Sequence, residues 1–349
     1  MSETGDAVPG AATARPHGAR PAPTIYDIAQ VAGVNPSTVS RALSKPGRLN
    51  AKTEKRIQDA AKQLGYRANP MARALPTGRT HTLGLILADI TNPVFFDVVR
   101  GAERAAANAG YTLLVAESQE SGEREAAATE RVAPSVDGIV LGATRLGDDQ
   151  IRALAETKPV VVINRAVSGV DDIVPDLATG IDEALDHLAE LGHTALAYLS
   201  GPSQSWMSRA RWQLLIERAV ARGMTIVEIG PSSPTIEGGR EVFARVATSG
   251  VTAVLAYNDL MAIGVLRAAR EQKVDVPRSL SVVGFDDIFG SDFTSPALTT
   301  VRSPLDLVGE FAVQRVLDRV EAREGTAAEG GASLSTTLVV RDSTGPTGK

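Results

Sequence analysis

From Thr80 onward, short apolar runs alternate with longer amphipathic stretches, and this alternation limits the possible folds more than any other feature of the chain. The runs TLGLILA, YTLLVA, DGIVLG, PVVVIN, ALAYLS, AVLAY and LSVVGF are apolar almost throughout, not only at every second position. Strands that are apolar on both faces have to be covered on both sides, which parallel sheets achieve by crossing over through helices. Phe95 to Asn108, Ala178 to Leu191 and Leu260 to Glu271 have the helical period such crossovers need. The expected body is α/β with parallel sheets. Its roughly 260 residues exceed what one core usually supports, so two subdomains are expected.

Ahead of this body the pattern is different. Residues 1–23 are rich in Ala, Pro and Gly without apolar periodicity and read as a disordered leader. From 24 to about 65 the period is helical throughout, with Ile25, Ile28 and Ala29 on one face, Val39 and Leu43 on a second, and Ile57, Ala61 and Leu64 on a third. Three short helices with three apolar stripes can close one small core. Charge separates the same two regions. Residues 1–79 carry 12 Lys and Arg against 5 Asp and Glu, whereas residues 80–349 carry 24 against 36. A basic head on an acidic body points to a polyanion met by the head alone; a solvated asymmetry without a partner is the plain alternative.

The segment TIYDIAQVAGVNPSTVSRALS gives the head a chemical reading. Asn35 suits an N-cap and Pro36 the first helical position, so a helix begins at Pro36. At 100° per residue Val39 and Leu43 face inward, while Ser37 and Arg41, with Ser44 beside them, face out. Gly33 falls in the turn between two short helices, the helix-turn-helix arrangement whose second helix enters the DNA major groove. There an Arg can bond guanine with two hydrogen bonds, and hydroxyls reach phosphates or base edges. An ordinary three-helix core with a polar outer helix is the competing reading. In NPMARALPTGRT, Asn69 can cap, Pro70 begin and Pro76 end a helix of about six residues, too short to form except against a partner. Leu75 beside Arg73 on so short a helix fits an apolar wedge for the minor groove, against the alternative of a plain linker.

Several function classes find little support. The chain has no Cys, so disulfides and thiolate chemistry are absent, and its four His, at 17, 81, 187 and 193, lack metal-ligand spacing. No apolar run approaches a membrane span and the N-terminus has no secretory core, so the expectation is a cytoplasmic protein without a membrane partner. There is no G-x-S-x-G elbow, P-loop or G-x-G-x-x-G. Asp286-Asp287 and Asp171-Asp172 are adjacent carboxylates aimed in different directions, and His193 reads as a helix C-terminal residue rather than a base. No catalytic residue, metal or cofactor is expected.

TIYDIAQVAGVNPSTVSRAL, LGYRANPMARAL, GLILADITNPVFF, VDGIVL, YNDLMAIG, VPRSLSVVGFDD and PALTTVRSP, in this order and spacing, resemble the LacI/GalR (lac repressor type) family of bacterial transcription regulators from Thr24 to about Thr344. The resemblance implies a helix-turn-helix head over 24–68, a hinge helix and linker over 69–79, and a periplasmic-binding-protein-like body over 80–343. Within that body, one subdomain takes about 80–175 and 304–326, the other about 176–303 and 332–343, and 344–349 form a tail. By position Pro36, Ser37 and Arg41 match base-reading residues, Asn35 and Thr38 match phosphate contacts, and Leu75 matches the hinge leucine. Pro36 departs from members with a polar side chain there, leaving readout to Ser37 and Arg41.

Ligands of open α/β sheets sit beyond the carboxyl ends of the strands. Asp89, Asn164, Arg165, Ser203 to Met207, Tyr257, Asn258 and Asp286 occupy such places, though helix capping also favours Asn and Asp there. The resemblance selects Val94, Phe95, Asn164, Ser205, Met207, Arg211, Asn258 and Asp286 as ligand positions, with Arg211 and Asp286 as paired anchors for a vicinal diol. Val94 stands where an aromatic is common, while Phe95 and Trp206 are candidates for an apolar wall. The expected protein is a regulator, a repressor by preference, whose operator affinity is set by a small molecule. A sugar or polyol is favoured, and purine-type effectors use the same cleft. The chain ends after LVVRDSTGPTGK without apolar heptads, so a homodimer on a pseudo-palindromic operator is expected. The rival is a free-standing sugar receptor or sugar-processing enzyme on the same body.

Overall fold

The computed structural model describes residues 23–44, 47–66, 78–321 and 334–348. The expected leader, and the hinge residues Asn69, Arg73 and Leu75, lie outside them. The chain separates into two units after Gly78.

The first unit holds α1 (Ile25–Ala32), α2 (Pro36–Ser44) and α3 (Ala51–Gln63). Ile28, Ala29 and Ala32 of α1, Val39 and Ala42 of α2, and Ile57, Ala60 and Ala61 of α3 are buried together. Leu43, Leu64 and Ile25, expected on these stripes, pack at the margin of that core. Alanines fill places where larger side chains would hold the helices apart.

The second unit is built on two sheets. The first, in the order β2-β1-β3-β4-β5, comprises β1 (Thr82–Leu87), β2 (Thr112–Glu117), β3 (Gly138–Gly142), β4 (Val160–Ile163) and β5 (Asp171–Ile173), all parallel. Helices α4 (Val94–Asn108), α5 (Gly122–Val132) and α6 (Asp148–Thr157) connect its strands. The second sheet runs β11-β10-β9-β8-β6-β7, from β6 (Ala195–Leu199), β7 (Thr225–Ile229), β8 (Ala253–Ala256), β9 (Ser281–Asp286), β10 (Thr299–Arg302) and β11 (Thr337–Val339). Only β11 is antiparallel to its neighbour. The helices here are α7 (Leu177–Glu190), α8 (Trp206–Ala221), α9 (Ile236–Thr248) and α10 (Asp259–Glu271). After β10 the chain returns to the first sheet as α11 (Leu305–Val320), packed along α4 and against β3, β4 and β5.

The seven apolar runs all became strands: β1, β3, β4, β6, β8 and β9 are buried nearly along their length, whereas β2, expected to be covered on both faces, lies at a sheet edge and is exposed or half-buried throughout. The four strands without a run of their own are β5, β7, β10 and β11. The first two and the last are edge strands, and β5 consists of Asp171, Asp172 and Ile173. An edge strand with one wet face does not need apolar residues at every position. The two subdomains share one packing device. A Cβ on Gly309 of α11 would lie 2.0 Å from the Val98 carbonyl of α4, and one on Gly264 of α10 would lie 2.1 Å from the Ile236 carbonyl of α9. Each helix pair therefore touches backbone to backbone where only glycine fits.

Candidate functional site

Helix α1 opens on Thr24, whose N–H and hydroxyl both donate to the Asp27 carboxylate at 2.7 Å. These bonds hold the Asp27 pKa below its ordinary value. Gly33 ends the helix in the left-handed region (φ 59°, ψ 43°), and the Val34 N–H returns to the Ala29 carbonyl at 3.0 Å. A side chain with a Cβ is disfavoured in that region, so glycine sets the angle at which α2 leaves α1. Asn35 then caps α2: its Oδ1 accepts from the Ser37 N–H at 3.0 Å and from the Ser37 hydroxyl at 2.9 Å. The Ser37 proton is thus committed, and its oxygen faces outward as an acceptor, the complement of the amino groups of cytosine and adenine in the major groove. Val39 is buried, whereas Asn35, Ser37 and Arg41 are exposed and Pro36 and Thr38 half-buried. Among the described residues no carboxylate pairs with Arg41, so its guanidinium is free for an external acceptor.

In the body, all eight expected ligand residues line one cleft between the two sheets: Val94, Phe95, Asn164, Ser205, Met207, Arg211, Asn258 and Asp286. Arg211, on the second turn of α8, is its most constrained group. Its Nη2 lies 3.1 Å from Asp286 Oδ1, its Nη1 donates to the Tyr257 carbonyl, and its guanidinium carbon stands 4.1 Å over the Phe285 ring and 5.3 Å over Tyr257. Burial raises the Asp286 pKa, and Arg211 opposes the rise. Beneath them the wholly buried Asp259 accepts from the Ile288 N–H at 2.9 Å, Ser291 at 2.7 Å and Thr300 at 2.5 Å. Burial, reinforced by the Asp286 charge, pushes Asp259 up to about 7. It fixes the loop that carries Asp286.

Capping, set against ligand binding from sequence, is present at two of the positions that line the cleft. Ser205 caps α8 through the Ser208 N–H at 3.2 Å while its hydroxyl meets the Tyr257 hydroxyl at 3.1 Å. Asn258 caps α10 through Met261 and donates to the Pro234 carbonyl at 3.0 Å. Phe95 is a core residue whose edge reaches the cleft, and Trp206 lines it half-buried. The strand ends are also strained: Glu120, Ala143, Asn164 and Asp286 have φ of 60°, 54°, 61° and 104°. Positive φ at non-glycine residues costs energy and collects at binding sites, where the surrounding structure enforces it.

The sequence reading missed Asn92, Glu120, Thr144, Arg145 and Pro234, which line the same cleft. The first four follow the ends of β1, β2 and β3, where the strand-end rule, applied to every strand, finds them. His193 is more than a helix-terminal residue. Its N–H closes α7 on the Leu188 carbonyl at 3.0 Å, and its ring bonds Thr252 at 2.8 Å and Ser281 at 3.0 Å, away from the cleft. Burial lowers its pKa.

Residues 24–69 match the family model for bacterial regulatory proteins of the lacI family, and residues 185–344 match a periplasmic binding protein-like domain. The ribose operon repressor of Escherichia coli K12 is 30% identical over 306 residues, 85% of this chain and 93% of that protein. The chain belongs to the lacI family. Other lacI-family relatives in the same organism are the transcriptional regulator GalR, 31% identical over 86% of this chain and 90% of its own, and the repressor CytR, 29% over 93% and 96%. The lac repressor dimer bound to operator and the anti-inducer ONPF superposes with a TM-score of 0.83 at 26% identity, covering 92% of this chain and 99% of its own. This member of the lacI family is accordingly a DNA-binding transcription regulator, and the basic head is its DNA-binding part. No helix among the described residues is long and apolar enough to cross a membrane.

Proposed function

We propose that this regulator is a cytoplasmic homodimeric repressor that reads operator bases through Ser37 and Arg41 of α2 and is controlled by a neutral sugar or polyol in the body cleft. Asn35 and Thr38 would meet phosphates, and Pro36 offers an apolar contact. One observation carries the ligand class: every guanidinium lining the cleft already has a carboxylate. Arg211 pairs with Asp286, Arg145 with Glu120 at 2.5 Å, and Arg165 with Asp148. A cleft neutralised in this way has no surplus charge for an anion, while a donor beside an acceptor matches the hydroxyls of a vicinal diol. The names of similar proteins agree, among them the ribose operon repressor and a CelR–cellobiose complex that superposes with a TM-score of 0.66 at 26% identity, covering 92% of this chain and 99% of its own.

The dimer reading is supported by Phe289 and Phe293, 74% and 71% exposed, which meet edge to face at 5.1 Å beside a groove lined by Ile263 and Leu266 of α10. Exposed aromatics of this kind mark interaction surfaces. A catalytic role has no comparable support: Asp287 is bound to Arg302 and Arg341, both at 2.7 Å, and His193 is committed to the core. A thermal-shift screen of sugars, polyols and nucleobases tests the ligand class. A sugar or polyol should raise the melting temperature of the wild type and not that of Asp286→Asn. Stabilisation by nucleobases alone would refute it. For the head, a gel shift on upstream DNA should show Arg41→Ala losing sequence preference, by about 1–3 kcal/mol at one base pair. Equal preference in wild type and variant would remove Arg41 from base reading.

A further inference from the structure

The Glu120–Arg145 pair borders two spaces at once. Inward it lines the cleft that holds Arg211; outward it lines a solvent-open chamber of about 590 Å³, bordered by Asp89 from the first subdomain and by Ser203, Gln204, Ser233 and Glu241 from the second. Small-molecule sites span about 300–1,000 Å³, so the chamber is large enough to be a subsite in its own right.

The pair is built like the inner anchor. Arg145 has a side chain only 3% exposed, bonds the Ala143 carbonyl at 2.8 Å and pairs with Glu120, and its Nε is a buried donor without a protein partner. Arg211, 6% exposed, also has an unpartnered buried Nε. A buried, unmade hydrogen bond on a charged group is costly, and both arginines sit beside a carboxylate, so each place offers donors next to an acceptor for a hydroxylated ligand. Of the three guanidinium–carboxylate pairs in the cleft, these two carry an unpartnered Nε, one from each subdomain. The Arg145 pair opens onto the chamber.

We infer that the effector is a neutral oligosaccharide of at least two sugar units, the first ring held at Arg211 and Asp286 and the next passing Arg145 and Glu120 into the chamber. This rests on the sugar reading above and adds its length. The chamber's own chemistry selects among ligands. Asp89 and Glu241 repel an acidic second unit, and among the described residues no aromatic side chain lines the chamber to stack a nucleobase. Serine, glutamine and carboxylate groups remain, which suit hydroxyls.

Titration calorimetry of the full chain against matched series tests the inference: glucose with cellobiose and cellotriose, galactose with lactose, and xylose with xylobiose. In one series the disaccharide should bind at least about tenfold more tightly than its first sugar, the factor worth of one or two net hydrogen bonds. Gln204→Trp, at an exposed chamber position, should abolish that gain and leave monosaccharide affinity and the ligand-free melting temperature unchanged. Ser203→Trp, also exposed, should do the same and guards against misfolding of the first variant. Equal affinity along every series, or a length gain that survives both tryptophans, overturns the inference. If monosaccharides still bind and Asp286→Asn removes that binding, only the added length is lost. If no saccharide binds, the sugar reading falls with it.

Discussion

Replacing Arg211 by methionine keeps much of its volume and removes its charge, and the body should then become steeply less stable as pH rises. In the native protein, burial favours a proton on Asp286, and the guanidinium 3.1 Å away is what restrains it. Without Arg211 burial acts alone, and Asp259, another carboxylate, interacts unfavourably with the Asp286 charge. The folded pKa of Asp286 then climbs further above its ordinary 3.8. A group whose folded pKa is raised contributes stability that is complete below the unfolded value and is lost as pH rises through the folded one. Stranding one partner of a buried pair costs about 3–5 kcal/mol. For a unit of this size each kcal/mol moves the melting temperature by about 2–4 °C, so Arg211→Met should melt about 6–20 °C below wild type at pH 8. The gap should narrow by pH 5 as Asp286 accepts a proton. Asp286→Asn should lose less, about 1–3 kcal/mol, without the same slope. Arg211 there retains the Tyr257 carbonyl and the ring faces of Phe285 and Tyr257. Calorimetric melts of both variants at pH 5, 6.5 and 8, each read against wild type, check this. A deficit in Arg211→Met that is the same at pH 5 and pH 8 would show that the Asp286 charge is not what Arg211 compensates.

Gly264→Ala should destabilise the body by about 1–3 kcal/mol, because the new methyl meets the Ile236 carbonyl. Helix propensity alone predicts a gain of about 0.5–1 kcal/mol, so a raised melting temperature would refute the close packing. Phe289→Asp combined with Phe293→Asp should yield monomers in sedimentation velocity and weaken operator binding; an unchanged dimer would move the interface elsewhere. Burial lowers the pKa of both His187 and His193 below 6.5, so their contribution is present above that pH and declines as pH falls. His193→Gln should flatten that acid limb in melts between pH 7 and 5.

What the sequence revealed followed from how strongly each segment is constrained. Strands buried on both faces have to be apolar nearly throughout, so β1, β3, β4, β6, β8 and β9 were visible as runs; of the edge strands, β2 was visible through its consecutive Leu113, Leu114 and Val115, while the charged residues of β5 and β7 hid them. The cap at Asn35, the break at Gly33 and the burial of Val39 are local and were readable residue by residue. The cleft is a different case. Its strand-end positions follow from α/β geometry, but the choice among them as candidate ligand positions came from the family resemblance. Arg145 and Glu120 stand past strand ends where the same rule reaches them, but their pairing joins loops 25 residues apart at one rim and no local pattern shows it. The Gly309 and Gly264 contacts join distant helices, and no spacing in the sequence announces them.

Control of the head by the body cleft requires energetic coupling between them. With a saccharide from the calorimetric series that binds, its Kd should be measured with and without a saturating operator duplex, and the operator Kd by fluorescence anisotropy with and without that saccharide. Linkage requires the two ratios to be equal, and coupling of about 1–3 kcal/mol makes each roughly 5–150-fold. Saccharide affinity that is identical in the presence and absence of operator would mean that the cleft does not govern the head.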